Sequence, residues 1–292
     1  MASAQGKEVK PKGEGLRPDF GTLAGIVIAL GGIIGGLLLE KGEFSDVLQG
    51  TAGMIVLGGT LGAVLITTPF PVFWRALKGF GGVFFSRGRS TSAIIETLIQ
   101  FATKARKNGI VSLETDTPDI SDRYMRKALE LAVDGTDLQE LRKMMEVDIV
   151  SGEQAAEAEA RVWEAAGGYA PTIGIIGAVM GLIQVMKHLE DIKAVGHGIA
   201  VAFVATVYGV GTANIFFLPA ASKLRARMHE TAMIKEMVLE GVTGIVEGLN
   251  PTLIRMKLES FDPHPKAPRN AKRAKGTEQG TDAPPQPAPA GD

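Results

Sequence analysis

The sequence predicts an all-α membrane protein in which four transmembrane helices carry a helical cytoplasmic domain inserted between the second and third. Three observations lead there. Residues 20–39, 47–74, 167–186 and 198–221 contain no Asp, Glu, Lys or Arg, and each reaches the ~20 residues needed to cross a ~30 Å hydrocarbon layer. The chain is 45% hydrophobic with 37 Gly, a mixture suited to closely packed membrane helices. The charged residues, whose formal sum is only −1, are segregated between these segments, so their placement informs where their total does not.

The first apolar run is too long for a signal-peptide core and is read as a retained span. The connections after the first and third spans hold Lys41 and Lys193 against Glu40, Glu43, Asp46, Glu190 and Asp191. The opposite flanks hold Arg17, Arg75, Lys78, Arg87 and Arg89, then Lys223, Arg225 and Arg227. Because basic flanks stay inside during insertion, the short connections face outward and both termini are cytoplasmic, in a multi-pass membrane protein.

The expected divisions are a cytoplasmic tail at 1–18, spans one and two within 19–74, a helical cytoplasmic domain at 75–166, spans three and four within 167–221, a cytoplasmic helix at 222–260 and a disordered tail at 261–292. Within 75–166, Ile94, Ile95, Leu98, Ile99, Phe101 and Ala102 recur at helical spacing up to Asn108-Gly109. A second helix runs through Tyr124, Ala128, Leu129 and Leu131 to Asp134-Gly135. Thr136 and Gln139 read as a capping box that opens a long helix approaching the third span. After the fourth span, a charged helix extends from Lys223 to Glu247 before Gly248 and Asn250-Pro251. The Pro-, Ala- and Lys-rich tail lacks the large apolar side chains that offset ordering entropy.

Small residues recur four apart in the spans, including Gly21/Gly25, Gly31/Gly35, Gly32/Gly36, Gly58/Gly62, Gly177/Gly181 and Ala205/Gly209/Ala213. In the first two spans these stripes are expected to pack within the chain, and in the last two to face another chain. No span carries an ionisable group near its middle, and a bare charge there costs at least ~2.5–3.5 kcal/mol. Either the chain moves no ions or a partner supplies the carrier. Thr hydroxyls in the spans are expected to bond mostly to their own preceding turn. Pro171 reads as first-turn punctuation of the third span, whereas Pro219, inside 214–224, creates a hinge at the inner end of the fourth. The absence of Cys removes thiolate chemistry, and no nucleophile–base pair, phosphate loop or metal spacing is visible, so an enzyme and a cofactor are not expected.

Several stretches resemble the MotA/PomA flagellar stator subunits of the MotA/TolQ/ExbB proton channel superfamily. They are Tyr169-Ala-Pro-Thr-Ile-Gly-Ile-Ile-Gly-Ala-Val-Met-Gly-Leu-Ile, Ala200-Val-Ala-Phe-Val-Ala-Thr-Val-Tyr-Gly and Phe217-Leu-Pro-Ala-Ala-Ser-Lys-Leu, with Gly58-Gly-Thr-Leu-Gly-Ala, Lys104-Ala-Arg-Lys-Asn-Gly-Ile-Val-Ser-Leu-Glu and Val133-Asp-Gly. The resemblance covers roughly residues 19–261. It implies a homopentamer around two copies of a MotB/PomB-type, single-span, peptidoglycan-anchored partner whose helix bears the essential Asp. It also implies that Pro171 and Pro219 couple ion passage to cytoplasmic movement, and that Arg106 and Glu114 engage the rotor protein FliG. Membrane lipid is a further expected partner, and nucleic acid is not.

Sodium-driven members carry Thr where Ala178 and Ala205 stand, beside the position of Thr206. Sodium requires several oxygens to replace its hydration shell, whereas a proton needs a titrating carboxylate and water, so H+ is favoured over Na+. The expected ion pathway is the surface of Thr206, Ala178 and Ala205. The alternatives are an ExbB/TolQ-type energiser of outer-membrane transport, which has three spans and its large cytoplasmic segment after the first, and a non-flagellar motor reusing the same ring. A simple transporter is disfavoured because no span offers a charged substrate site.

Overall fold

The computed structural model describes residues 16–87 and 90–261. The tail expectations for 1–15 and 262–292 lie outside the described residues. The described residues are helical but for their connections and a three-residue antiparallel pairing of Leu16–Pro18 with Phe85–Arg87. Helix α1 (Phe20–Leu39) starts at Asp19, whose carboxylate accepts from the Thr22 amide. Helix α2 (Gly50–Thr67) ends where Thr68 turns extended before Pro69, the conformation a following proline imposes. The single run expected over 47–74 is therefore broken, and α3 (Phe70–Gly79) begins beyond it. On α3, Phe70 and Trp74 stack at 6.3 Å and Lys78 lies 5.5 Å over the Trp74 ring, an aromatic and basic combination suited to a membrane–water boundary. A single turn, α4 (Gly81–Phe84), follows.

Helix α5 (Thr91–Asn108) ends at Gly109, which adopts φ +82°, and α6 (Arg123–Val133) is closed by Gly135 at φ +76°. Both stops fall where the sequence places them. Helix α7 is one continuous helix over Leu138–Lys187, 50 residues long, hence about 75 Å. Its first-turn amides are capped by the Asp137 carboxylate, which accepts from Gln139 and Glu140 at 2.9 and 3.4 Å. Asp137 thus replaces the expected Thr136 capping box, because a carboxylate one residue later reaches the same orphan donors.

Helix α8 (Ile192–Thr212) passes through a π-helical turn, Ala213–Phe217, into α9 (Leu218–Val246). A short α10 (Pro251–Glu259), capped by Asn250, completes the chain. The 222–260 segment is divided at Gly248, with φ +71°, where the sequence ends its charged helix.

A polar-surfaced unit is built from α5, α6, the first half of α7, the end of α9 and α10. Its core holds Leu98, Leu113, Leu129, Leu141, Met145, Met237 and Leu258, each fully buried, and such burials each contribute about 1.5–3 kcal/mol. The four helices long and apolar enough to cross a membrane are α1, α2, α7 and the α8–α9 run. Of these, α1 buries none of its residues.

Candidate functional site

The closest backbone approach joins the apolar half of α7 to α8. A methyl group built on Gly209 would lie 2.6 Å from the Ala170 carbonyl oxygen, and one on Gly174 would lie 2.9 Å from that of Ala205. On Gly181 it would lie 2.7 Å from the Gly198 oxygen, and on Gly177 2.8 Å from the Ala205 methyl. Helix α2 joins through Gly59, against Ile173, and Gly53, against the Tyr208 ring. The Tyr208 hydroxyl donates to the Val47 carbonyl at 2.6 Å and accepts from the Gln49 amide at 3.2 Å.

The small-residue stripes of the last two spans are thus packed within the chain, against the sequence expectation. Gly177, Gly181, Ala205, Gly209 and Ala213 are buried within the chain. In contrast, Gly25, Gly31, Gly32, Gly35, Gly36, Gly58 and Gly62 meet nothing within 4 Å. Spacing marks a face on which backbones can approach, but it cannot say which helix will approach.

This seam separates the three residues of the expected ion pathway. Ala205 is fully buried, whereas Ala178 and Thr206 are half-buried. The Thr206 hydroxyl donates to the Ala202 carbonyl at 3.2 Å, Thr212 to Tyr208 at 2.6 Å and Thr172 to Tyr169 at 2.8 Å, the local bonding expected of such residues. Thr60 is 1% exposed, and its hydroxyl has no partner among the described residues. Among the described residues no group of three or more His, Cys, Asp or Glu is placed to hold a metal.

Pro171 lies inside α7, so reading it as first-turn punctuation is incorrect: Leu138–Gly168 is already helical before it. Lacking an N–H, it leaves the Gly167 carbonyl without its helical donor, about two thirds of the way along the 50-residue rod. Pro219 enters at the start of α9, just after the π turn, in which the Leu218 amide bonds back to the Ala213 carbonyl. The wider turn carries the helix through the donor that proline removes. Trp163, eight positions before Pro171, packs on Phe80 at 4.4 Å and Phe217 at 6.0 Å, and its indole N–H has no partner among the described residues.

Charged groups appear where the helices leave the apolar stretch. Arg225 reaches Glu157 at 3.0 Å and Glu164 at 2.5 Å, holding both carboxyls below their ordinary range while its own guanidinium is pushed up. Asp19 receives Lys223 at 2.5 Å and Arg227 at 3.3 Å. With the Thr22 amide, Lys223 lowers the Asp19 pKa to about 2. Arg227 also donates to the Gly82 and Val83 carbonyls, so one knot ties the start of α1, the α4 turn and the first turns of α9. The sequence offered no signal for it, since Asp19 and Arg227 are 208 positions apart.

Arg106, in the last turn of α5, and Glu114, after the 3-10 turn Ile110–Leu113, are both exposed. Neighbouring Lys104 pairs with Asp116 at 2.7 Å, but among the described residues Arg106 and Glu114 form no ion pair. They present opposite charges on either side of Val111, which is 62% exposed.

The MotA/TolQ/ExbB proton channel family matches residues 116–237, and the Motility protein A N-terminal family matches residues 23–109. Motility protein A of Bacillus subtilis is 32% identical over 84% of this chain and 91% of its own length. Motility protein A of Helicobacter pylori is 33% identical over 83% and 95%. The solved structure of C. jejuni MotAB superposes with a TM-score of 0.81 at 32% identity, covering 85% of this chain and 97% of that one.

Proposed function

The chain belongs to the MotA/TolQ/ExbB proton channel family, as a flagellar motor stator subunit of the inner membrane, and on that premise we propose how it works. Five copies form a ring around two copies of a MotB-type partner, whose single membrane helix carries the Asp that binds the transported proton. The carrying observation is the seam between α7 and α8. Its helices carry no Asp, Glu, Lys or Arg through their apolar lengths and pack closely at Gly174, Gly177, Gly181, Gly198 and Gly209, which supports a carboxylate supplied from outside the subunit.

In this reading the half-buried Thr206 and Ala178 border the partner helices, and Ala205 sets the seam that supports them. Protons enter from the outward side and neutralise the partner Asp, which changes its preferred seat on the ring. One charge crossing contributes ~2.3 kcal/mol per 100 mV, several times RT, enough to bias one step. Five seats around two helices never match, so one acid stays engaged while the other is released. Pro171 and the π turn before Pro219 convert each step into movement of the 75–166 domain, which lies in the cytoplasm with both termini. There Arg106 and Glu114 engage the rotor protein FliG. Proton rather than sodium coupling follows from the methyl groups at Ala178 and Ala205, which offer no oxygens to a dehydrated sodium ion.

The test is reconstitution of the purified chain in vesicles with and without a co-expressed single-span protein bearing a membrane Asp. Proton flux is expected only with the partner, and proton flux through this chain alone refutes the proposal. Protonophore-sensitive, sodium-indifferent swimming is the matching result in cells.

A further inference from the structure

Three helices of the polar-surfaced unit, α5, α6 and α9, end around one surface hollow of about 390 Å³. Its walls include Ala102, Ala105, Ala132, Ile245 and Leu249, with Arg106 at the edge. Ala102, Ala132 and Ile245 are buried beneath it, and Ala105 is half-buried. Alanines stand where larger side chains would close the hollow. The terminal carbonyls of α6 and α9 are satisfied by the amides of Gly135, Thr136, Gly248 and Leu249, so the floor presents neutral, apolar surface. The formal charge at the opening is that of Arg106, which has no partner among the described residues. Ile110 also lines the hollow, and the turn that it begins leads through exposed Val111 to unpaired Glu114.

We propose that this hollow seats one large apolar side chain of the rotor partner, on a helix that sets an acid against Arg106 and a base against Glu114. The proposal rests on the reading that those two residues face the rotor. Exposed ion pairs contribute only about 0–1 kcal/mol each and weaken further in salt, too little to hold a contact under load. An apolar anchor desolvated in a pocket contributes far more, with charges at the rim fixing register. The apolar hollow, the unpaired cation at its edge and the unpaired anion one turn beyond match that arrangement.

The experiment compares Ala105→Phe, which fills the hollow, with Arg106→Glu, which reverses the rim charge. It counts fluorescently tagged stator units at motors, measures torque on tethered cells and determines the subunit number of the purified assembly. Ala105→Phe is expected to leave subunit number unchanged and to reduce units at the motor about tenfold or more. Wild-type recruitment and torque in Ala105→Phe overturn the pocket, and if Arg106→Glu still fails, the rotor-facing reading stands without it. Wild-type behaviour of Arg106→Glu overturns the rotor-facing reading itself. A changed subunit number in Ala105→Phe assigns the hollow to a second copy of this chain, and also overturns the proposal. If Ala105→Phe does not accumulate, Thr136→Cys in this otherwise Cys-free chain supplies the second measurement. Its labelling by a membrane-permeant maleimide is expected to slow in cells with the rotor relative to cells lacking it, and equal rates overturn the proposal.

Discussion

Replacing Gly209 by alanine puts one methyl group into the tightest part of the α7–α8 seam. That methyl would lie 2.6 Å from the Ala170 oxygen, 3.0 Å from the Gly174 Cα and 3.2 Å from the Pro171 Cα. All three neighbours are backbone atoms, so no side chain can rotate away. Relief requires the helices to part by roughly 0.7 Å to restore a C···O contact of about 3.3 Å, and overpacking of this kind costs about 1–3 kcal/mol. The matched control is Gly211→Ala on the same helix, where nothing lies within 4 Å. Alanine there should be neutral or stabilising by up to ~1 kcal/mol through helix propensity. Thermal unfolding of the detergent-solubilised protein, followed by tryptophan fluorescence, should place Gly209→Ala roughly 2–5 °C below wild type, with Gly211→Ala at or above it. If Gly209→Ala melts at the wild-type temperature, the seam is looser than the structure shows.

Asp19→Asn removes the carboxylate shared by Lys223 and Arg227. Because the folded pKa is lowered to about 2, the stabilisation is complete above the unfolded value near ~4 and is lost as pH falls through about 2. Melting temperatures measured from pH 6 to pH 2 should fall in the wild type and converge with the variant at the acid end. Arg225→Lys keeps the charge but loses the fork that reaches Glu157 and Glu164 together. It should destabilise the α7–α9 contact by about 1 kcal/mol, and a double-mutant cycle with Glu157→Gln showing no coupling counts against the pairing. Thr206→Leu should abolish swimming while leaving the amount and subunit number of the assembly unchanged, and undiminished swimming removes Thr206 from the partner-facing surface.

Local chemistry was legible in the sequence. The charge-free runs, the stops at Asn108-Gly109 and Asp134-Gly135 and the break at Gly248 before Asn250-Pro251 are set by hydropathy and backbone preference. The stator resemblance was legible too, because it rests on ordered motifs around Pro171 and Pro219. The sequence could not decide which small-residue stripe meets which helix. Gly177 and Gly181 look like Gly32 and Gly36, yet the first pair is buried against α8 and the second faces open space. Nor could it decide whether Pro171 begins a helix or sits within one. A proline excludes one hydrogen bond, and only the packing of α7 along its length keeps the remainder of the 50-residue rod intact. The Asp19 and Arg225 knots were likewise invisible, since their partners become neighbours only when α1, α7 and α9 converge. Periodicity fixes what each segment can bury; the arrangement of helices decides what it does bury.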